Sequence, residues 1–161
     1  MTISDVSAPV RPPRLFLLPP PLFFGLAFGA GMLLQHVVPL TLTEFPGRQS
    51  LGFLVLIAGI ICGSGLAAIF LVRRTTLNPF ATPRAFLERG IYRLSRNPMY
   101  LGLVLVYLGG CLLVTCVWPL LFLIIPVAIL NQIVIPFEEA SMRRAFGASY
   151  QAYCARVRRW I

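Results

Sequence analysis

From Asn97 to Phe137 the chain carries no charged side chain, and a polar motif stands at each end of that interval. The first is Arg93-Leu-Ser-Arg96-Asn97-Pro98-Met99-Tyr100-Leu-Gly102; the second is Pro136-Phe-Glu138-Glu139. A bilayer core takes about 20 apolar residues per helix, so the interval holds two spans and a tight turn. A helical hairpin comes back to the side it left. The arginine-bearing motif and the glutamate pair are therefore expected at one membrane face, close enough to build a site together.

Two further uncharged intervals, Leu15 to Thr43 and Gln49 to Val72, add one span each. The chain has 161 residues, 58% of them hydrophobic and 12% charged. Its mean hydropathy is +0.83. A soluble domain of this size has too little interior to hide so much apolar surface. The expected fold is all-α: a polytopic membrane protein of about four transmembrane helices, ending in a helical hairpin and an amphipathic cytoplasmic tail helix. The N-terminal 1–14 reads as disordered, 15–72 as two membrane helices, and 73–161 as a core of loop, hairpin and tail.

The net charge is +9, and all 14 basic residues are arginine. They flank the spans, at Arg11 and Arg14, at Arg73 to Arg96, and at Arg143 to Arg159, without the basic domain and interleaved aromatics of a nucleic-acid binder. Positive charge gathers on cytoplasmic loops. Both termini and the 73–98 connection are thus expected inside, with Glu44 to Arg48 and a turn near Trp118-Pro119 outside. No metal site is expected, because one histidine (His36) and four cysteines without a CxxC pair do not make a ligand set. His36 reads as an interhelical hydrogen-bonding group. The first apolar run is too long for a cleaved signal peptide. Gly63-Ser-Gly65-Leu-Ala-Ala68 mimics a dinucleotide fingerprint, but it lies inside a membrane helix, where small residues serve helix contact. Gly25, Gly29 and Gly31 are expected to do the same in the first span.

Asn97-Pro98 reads as a helix start, an N-cap acceptor followed by proline at the first helical position. The N-terminus of the third span would then offer free N–H groups to an anion, with Arg93 and Arg96 beside it. Glu138 and Glu139 suit an ammonium, a sulfonium or a ribose hydroxyl, while Tyr92 and Tyr100 offer faces to a heterocycle or a cation. A ligand with an anion, a cation and an adenine ring finds its complements here, and S-adenosylmethionine is one. The alternative is interfacial anchoring, with a glutamate merely paired to Arg143 at helical spacing. Beyond the motif, Met142, Phe146, Tyr150, Tyr153 and Val157 form one apolar stripe, and Gly147 is placed to interrupt the tail helix.

Residues 73–161 resemble the core of the isoprenylcysteine carboxyl methyltransferase and phospholipid methyltransferase superfamily. The shared elements are Thr75-Thr76-Leu-Asn78-Pro79, then Gly90-Ile-Tyr92 through Gly102, Glu138-Glu139, and Phe146-Gly147-Ala-Ser-Tyr150-Gln-Ala-Tyr153 with Val157. The resemblance implies a membrane-embedded, S-adenosylmethionine-dependent methyltransferase in a bacterial inner membrane, similar to protein-S-isoprenylcysteine O-methyltransferase. Phospholipid N-methylation, thiol S-methylation or a noncatalytic role stay open. It puts Tyr92, Asn97, Pro98, Met99, Tyr100 and Glu138 on cofactor positions, with the stretch from Arg84 to Leu87 on a backbone-contacting segment. Arg96 joins the cofactor set by its charge beside the motif, and Glu139 is read as facing a lipid or other lipophilic substrate. Two positions depart from the eukaryotic isoprenylcysteine enzymes: Asn97 stands where they usually have histidine, and Val134 where they have a substrate-binding arginine. The donor side of the site is expected intact, the prenylcysteine-carboxylate side altered.

Overall fold

A computed structural model describes residues 18–72 and 90–161. The expected N-terminal disorder, most of the 73–98 connection and Leu87 lie outside those residues. The described chain is helical, as expected, with an isolated antiparallel bridge between Thr41 and Cys116.

Helix α1 (Pro20–Val37) begins where the proline run permits. Pro19 is extended at φ −65°, ψ 142°, and Pro20 takes the first helical position, where a missing N–H costs nothing. Helix α2 is Arg48–Val72 and α3 is Pro98–Val114, preceded by a 3₁₀ turn at Gly90–Arg93. The last rod is continuous but irregular: α4 (Val117–Phe122), α5 (Ile124–Ile129), a π-helical segment at Leu130–Val134, and α6 (Ile135–Arg156). Pro136 has no N–H for the Gln132 carbonyl and its ring crowds that turn, so a widened turn just before it relieves both problems. Gly147, at φ 50° and ψ −124°, breaks α6 as expected. Beyond it, Tyr150, Tyr153 and Val157 are buried together against Met142, Phe146 and Cys154, so the predicted stripe is one packed face.

Helices α1 (Pro20–Val37) and Val117–Arg156 are long and apolar enough to cross a membrane; Arg48–Gly63 and Pro98–Val114 are shorter apolar helices. Large apolar side chains point outward along three of them, among them Leu26 and Leu33 of α1, Leu54 and Ile61 of α2 and Ile124 of the last rod. In water such a surface would drive aggregation; in lipid it is already solvated.

The helices are held by close backbone approach. A Cβ on Gly102 would lie 2.9 Å from the Gly63 nitrogen, and one on Gly109 would lie 2.6 Å from the Leu56 nitrogen. This is the small-residue packing expected of α2, here joining it to α3. In α1 only Gly31 behaves so, against Pro119. Gly25 and Gly29 have nothing within 4 Å, because they lie on the outward side. His36, expected to bond another helix, is exposed in the last turn of α1. Phe24 and Ala27 of α1 meet Tyr107, Cys111, Leu130, Val134 and Ile135 in the main core.

The hairpin turn sits earlier than expected. Thr115, left-handed at φ 56°, makes it together with Cys116, while Pro119 lies in the first turn of α4, where its missing N–H is harmless. The α1–α2 loop closes over this turn. Leu42 N–H donates to the Thr115 carbonyl at 2.8 Å, Val117 N–H to Leu40 at 3.0 Å, and the Trp118 indole to Val38 at 2.6 Å. Arg48, 5% exposed, donates to the Leu112 and Leu113 carbonyls and pairs with Glu44 at 3.1 Å. Its cation thereby satisfies the C-terminal carbonyls of α3 and complements the helix dipole.

Candidate active site

The opposite end of the hairpin brings the two motifs together. The Tyr100 hydroxyl, one turn into α3, donates to Glu138 Oε1 at 2.6 Å. The other oxygen of Glu138 makes no hydrogen bond among the described residues. Tyr92, in the 3₁₀ turn, faces the same region. Burial, and then the neighbouring Tyr153 and Glu138, push its hydroxyl up, so it stays neutral and offers an aromatic face and an O–H. Its carbonyl accepts from the Tyr153 hydroxyl at 2.7 Å, which ties the turn to α6.

Asn97 occupies the N-cap position of α3 and Pro98 follows at N1, as expected, but the Asn97 side chain does not cap. Its Nδ2 donates instead to the Arg159 carbonyl at 2.9 Å, while its own carbonyl accepts from Leu101 at 3.1 Å. The reason is the returning tail. Arg159 presents an acceptor that also takes the Ser95 hydroxyl at 3.3 Å, so the amide of Asn97 is turned toward it as a donor. Pro98 has no N–H, and the N–H groups of Met99 and Tyr100 begin the helix without intrahelical acceptors. With the positive end of the α3 dipole, they form a place for an anion, and Met99 lies half-buried between the two.

Glu139, expected to face substrate, lies 4% exposed among arginines. Arg96 reaches it at 3.1 Å, Arg143 at 3.5 Å and Arg159 at 2.8 Å. Arg159 grips both its oxygens, and that bond raises the arginine's already high pKa. The pairing with Arg143 that helical spacing suggested is real, and it is one of three. A carboxylate enclosed by three guanidinium groups is well placed to lock motif, helix and tail together. Arg96 Nη1 also approaches Cys154 Sγ at 2.9 Å, whereas its buried Nε has no partner among the described residues.

Glu138 Oε2 and the first N–H groups of α3 are thus polar groups with capacity to spare at the motif end, and Arg96 Nε is a further, buried donor without a partner among the described residues. An adenosyl sulfonium amino acid carries a carboxylate, an ammonium, a ribose diol and a purine, and these groups complement them. Sequence reasoning missed the tail's part. Ser95, Arg159 and Trp160 give no periodic signal, and only the doubled arginine after Val157 hinted at a partner for the glutamates.

A family model described as phospholipid methyltransferase matches residues 48–149, from the start of α2 to just past the Gly147 break. No curated protein and no solved structure matches the chain. The matched stretch contains the α2–α3 packing, the hairpin, Tyr100 and both glutamates. The chain belongs to the phospholipid methyltransferase family: it is an integral membrane, S-adenosylmethionine-dependent methyltransferase of lipid substrates.

Proposed function

We propose that the donor is held between the start of α3 and the start of α6, and that it methylates a lipophilic acceptor arriving laterally from the bilayer. The observation that carries this reading is the 2.6 Å bond from Tyr100 to Glu138, which joins the two motifs into one site. Tyr92, Arg96, Asn97, Pro98, Met99, Tyr100 and Glu138 make up the donor site, and the family resemblance adds Leu87 to it. The Met99 and Tyr100 N–H groups and Arg96 hold the donor carboxylate; Glu138 accepts from its ammonium or ribose; Tyr92 flanks the purine. Bound there, the donor supplies a sulfonium methyl, which passes to an acceptor lone pair as the C–S electrons return to sulfur. The protein's contribution is alignment and exclusion of water. In this reading four spans cross the membrane and the site and both termini face the cytoplasm, a side favoured by the arginines at the motif end.

Glu139 is enclosed by guanidinium groups, Asn97 stands in place of histidine, and Glu138, the other carboxylate at the motif, is taken up by Tyr100 and, in this reading, by the donor. That favours an acceptor needing no deprotonation, such as the carboxylate of a prenylated thioether acid. Phospholipid amine methylation is the second reading, favoured by the family description. The two products separate cleanly. Purified protein in nanodiscs, given labelled donor and both acceptor classes, yields a base-labile methyl ester in the first case and a base-stable N-methyl lipid in the second. A base-stable product alone would discard the ester reading.

A further inference from the structure

The face of the last rod that leads away from Glu138 carries an anomaly. Its outward side chains are large and apolar, as Leu121, Ile124 and Ile125 show, until the π segment, where Asn131 and Gln132 are both exposed. Amides at membrane depth are expensive on a lipid-facing surface and mark places where something other than acyl chains must meet the protein. The π turn puts them there, its other side burying Leu130 and Val134 completely or nearly so. One amide has found a partner: the Trp160 indole N–H donates to Asn131 Oδ1 at 3.3 Å. Trp160 also packs against the core cluster that holds Leu130, Val134 and Ile135, as Tyr100, Leu103 and Ile129 do.

Trp160 follows immediately after Arg159, whose carbonyl holds Asn97 and whose guanidinium holds Glu139. The last residues therefore run from the motif to a point seven residues before Glu138, about 10 Å along the helix. That offset suits a phospholipid headgroup nitrogen and the start of its acyl chains, and for a prenylated thioether acid it falls within the isoprenyl chain.

We propose that Asn131 and Trp160 form the acceptor-selecting wall of this enzyme: the chain of a lipid acceptor lies along the π segment under the indole when its nucleophile stands beside Glu138. The proposal rests on the donor site described above. Asn131 positions the indole, the indole limits the length and bulk of chain accepted, and neither touches the donor.

The test uses the full chain in phosphatidylcholine nanodiscs with labelled donor. The acceptors are short-chain and long-chain phosphatidylethanolamine, and farnesyl and geranylgeranyl thioether acids. Trp160→Ala should change the long-to-short preference in kcat/KM about tenfold, as removal of a pocket wall does. Trp160→Phe, which keeps bulk but loses the N–H, and Asn131→Leu should each move it part of the way. Donor Kd should stay within about twofold of wild type in all three, the scatter of contacts that do not touch a ligand. Preferences unchanged in the folded Asn131→Leu and Trp160→Phe proteins would overturn the proposal, as would a collapse of donor affinity without a change in preference. Failure of the wild-type chain to methylate either acceptor class would instead overturn the functional reading, and this inference with it.

Discussion

The two ends of the α3–α4 hairpin use the same residue type for different ends. At the turn, Arg48 spends its guanidinium on the Leu112 and Leu113 carbonyls and on Glu44, and the surrounding N–H groups of Leu42, Val117 and Trp118 are all paired within the protein. At the motif end, Arg96 and Arg159 converge on Glu139, yet Arg96 Nε and one oxygen of Glu138 are left with capacity. An arginine bonded to two backbone carbonyls and to the carboxylate four residues before it is structural. One that leaves donors unused beside a carboxylate of unused capacity marks a place for a ligand. Burial alone would not have separated them, since Arg48 and Glu139 are both buried.

The comparison breaks or sharpens under substitution. The largest stability effect belongs to Arg48→Met, which strands two α3 carbonyls at about 1–3 kcal/mol each. The melting temperature in detergent should fall by several degrees while donor affinity in the folded fraction is unchanged. A loss of donor binding would mean the two ends are not independent. Asn97→Ala removes one hydrogen bond to the tail, worth about 1 kcal/mol. It should loosen the C-terminus, seen as faster amide exchange beyond Val157, and weaken donor binding modestly. Glu44→Gln is the smallest. The Glu44 carboxylate is 74% exposed, so its pair with Arg48 contributes about 0–1 kcal/mol, and neither melting nor binding should move measurably.

Much of this was legible beforehand, for physical reasons. Uncharged runs report spans directly, because each charge in lipid is costly, so the four apolar rods and the return of the glutamate motif to the arginine motif follow from spacing; the particular bond from Tyr100 to Glu138 does not. Gly147 and the stripe at Tyr150, Tyr153 and Val157 were legible because backbone freedom and helical period are local properties. The rest depended on long-range partners. Asn97 sits where a cap belongs, but an acceptor 62 residues away recruits its amide. Glu139 looks like its neighbour Glu138 in sequence; one helical step turns it from the open side to the arginines. The turn at Thr115 lay hidden because Pro119 is as acceptable in the first turn of a helix as in a loop.

The central claim is that Tyr100 and Glu138, brought together across the hairpin, serve one donor molecule. A double-mutant cycle on S-adenosylmethionine affinity, by calorimetry on Tyr100→Phe, Glu138→Gln and the double variant, tests it most directly. Glu138→Gln should weaken binding about ten- to hundredfold, the worth of a charge-assisted contact. The two losses should be coupled by about 0.5 kcal/mol or more, since the pair shares a hydrogen bond and a ligand. Folded single variants that bind the donor as tightly as wild type would contradict the account.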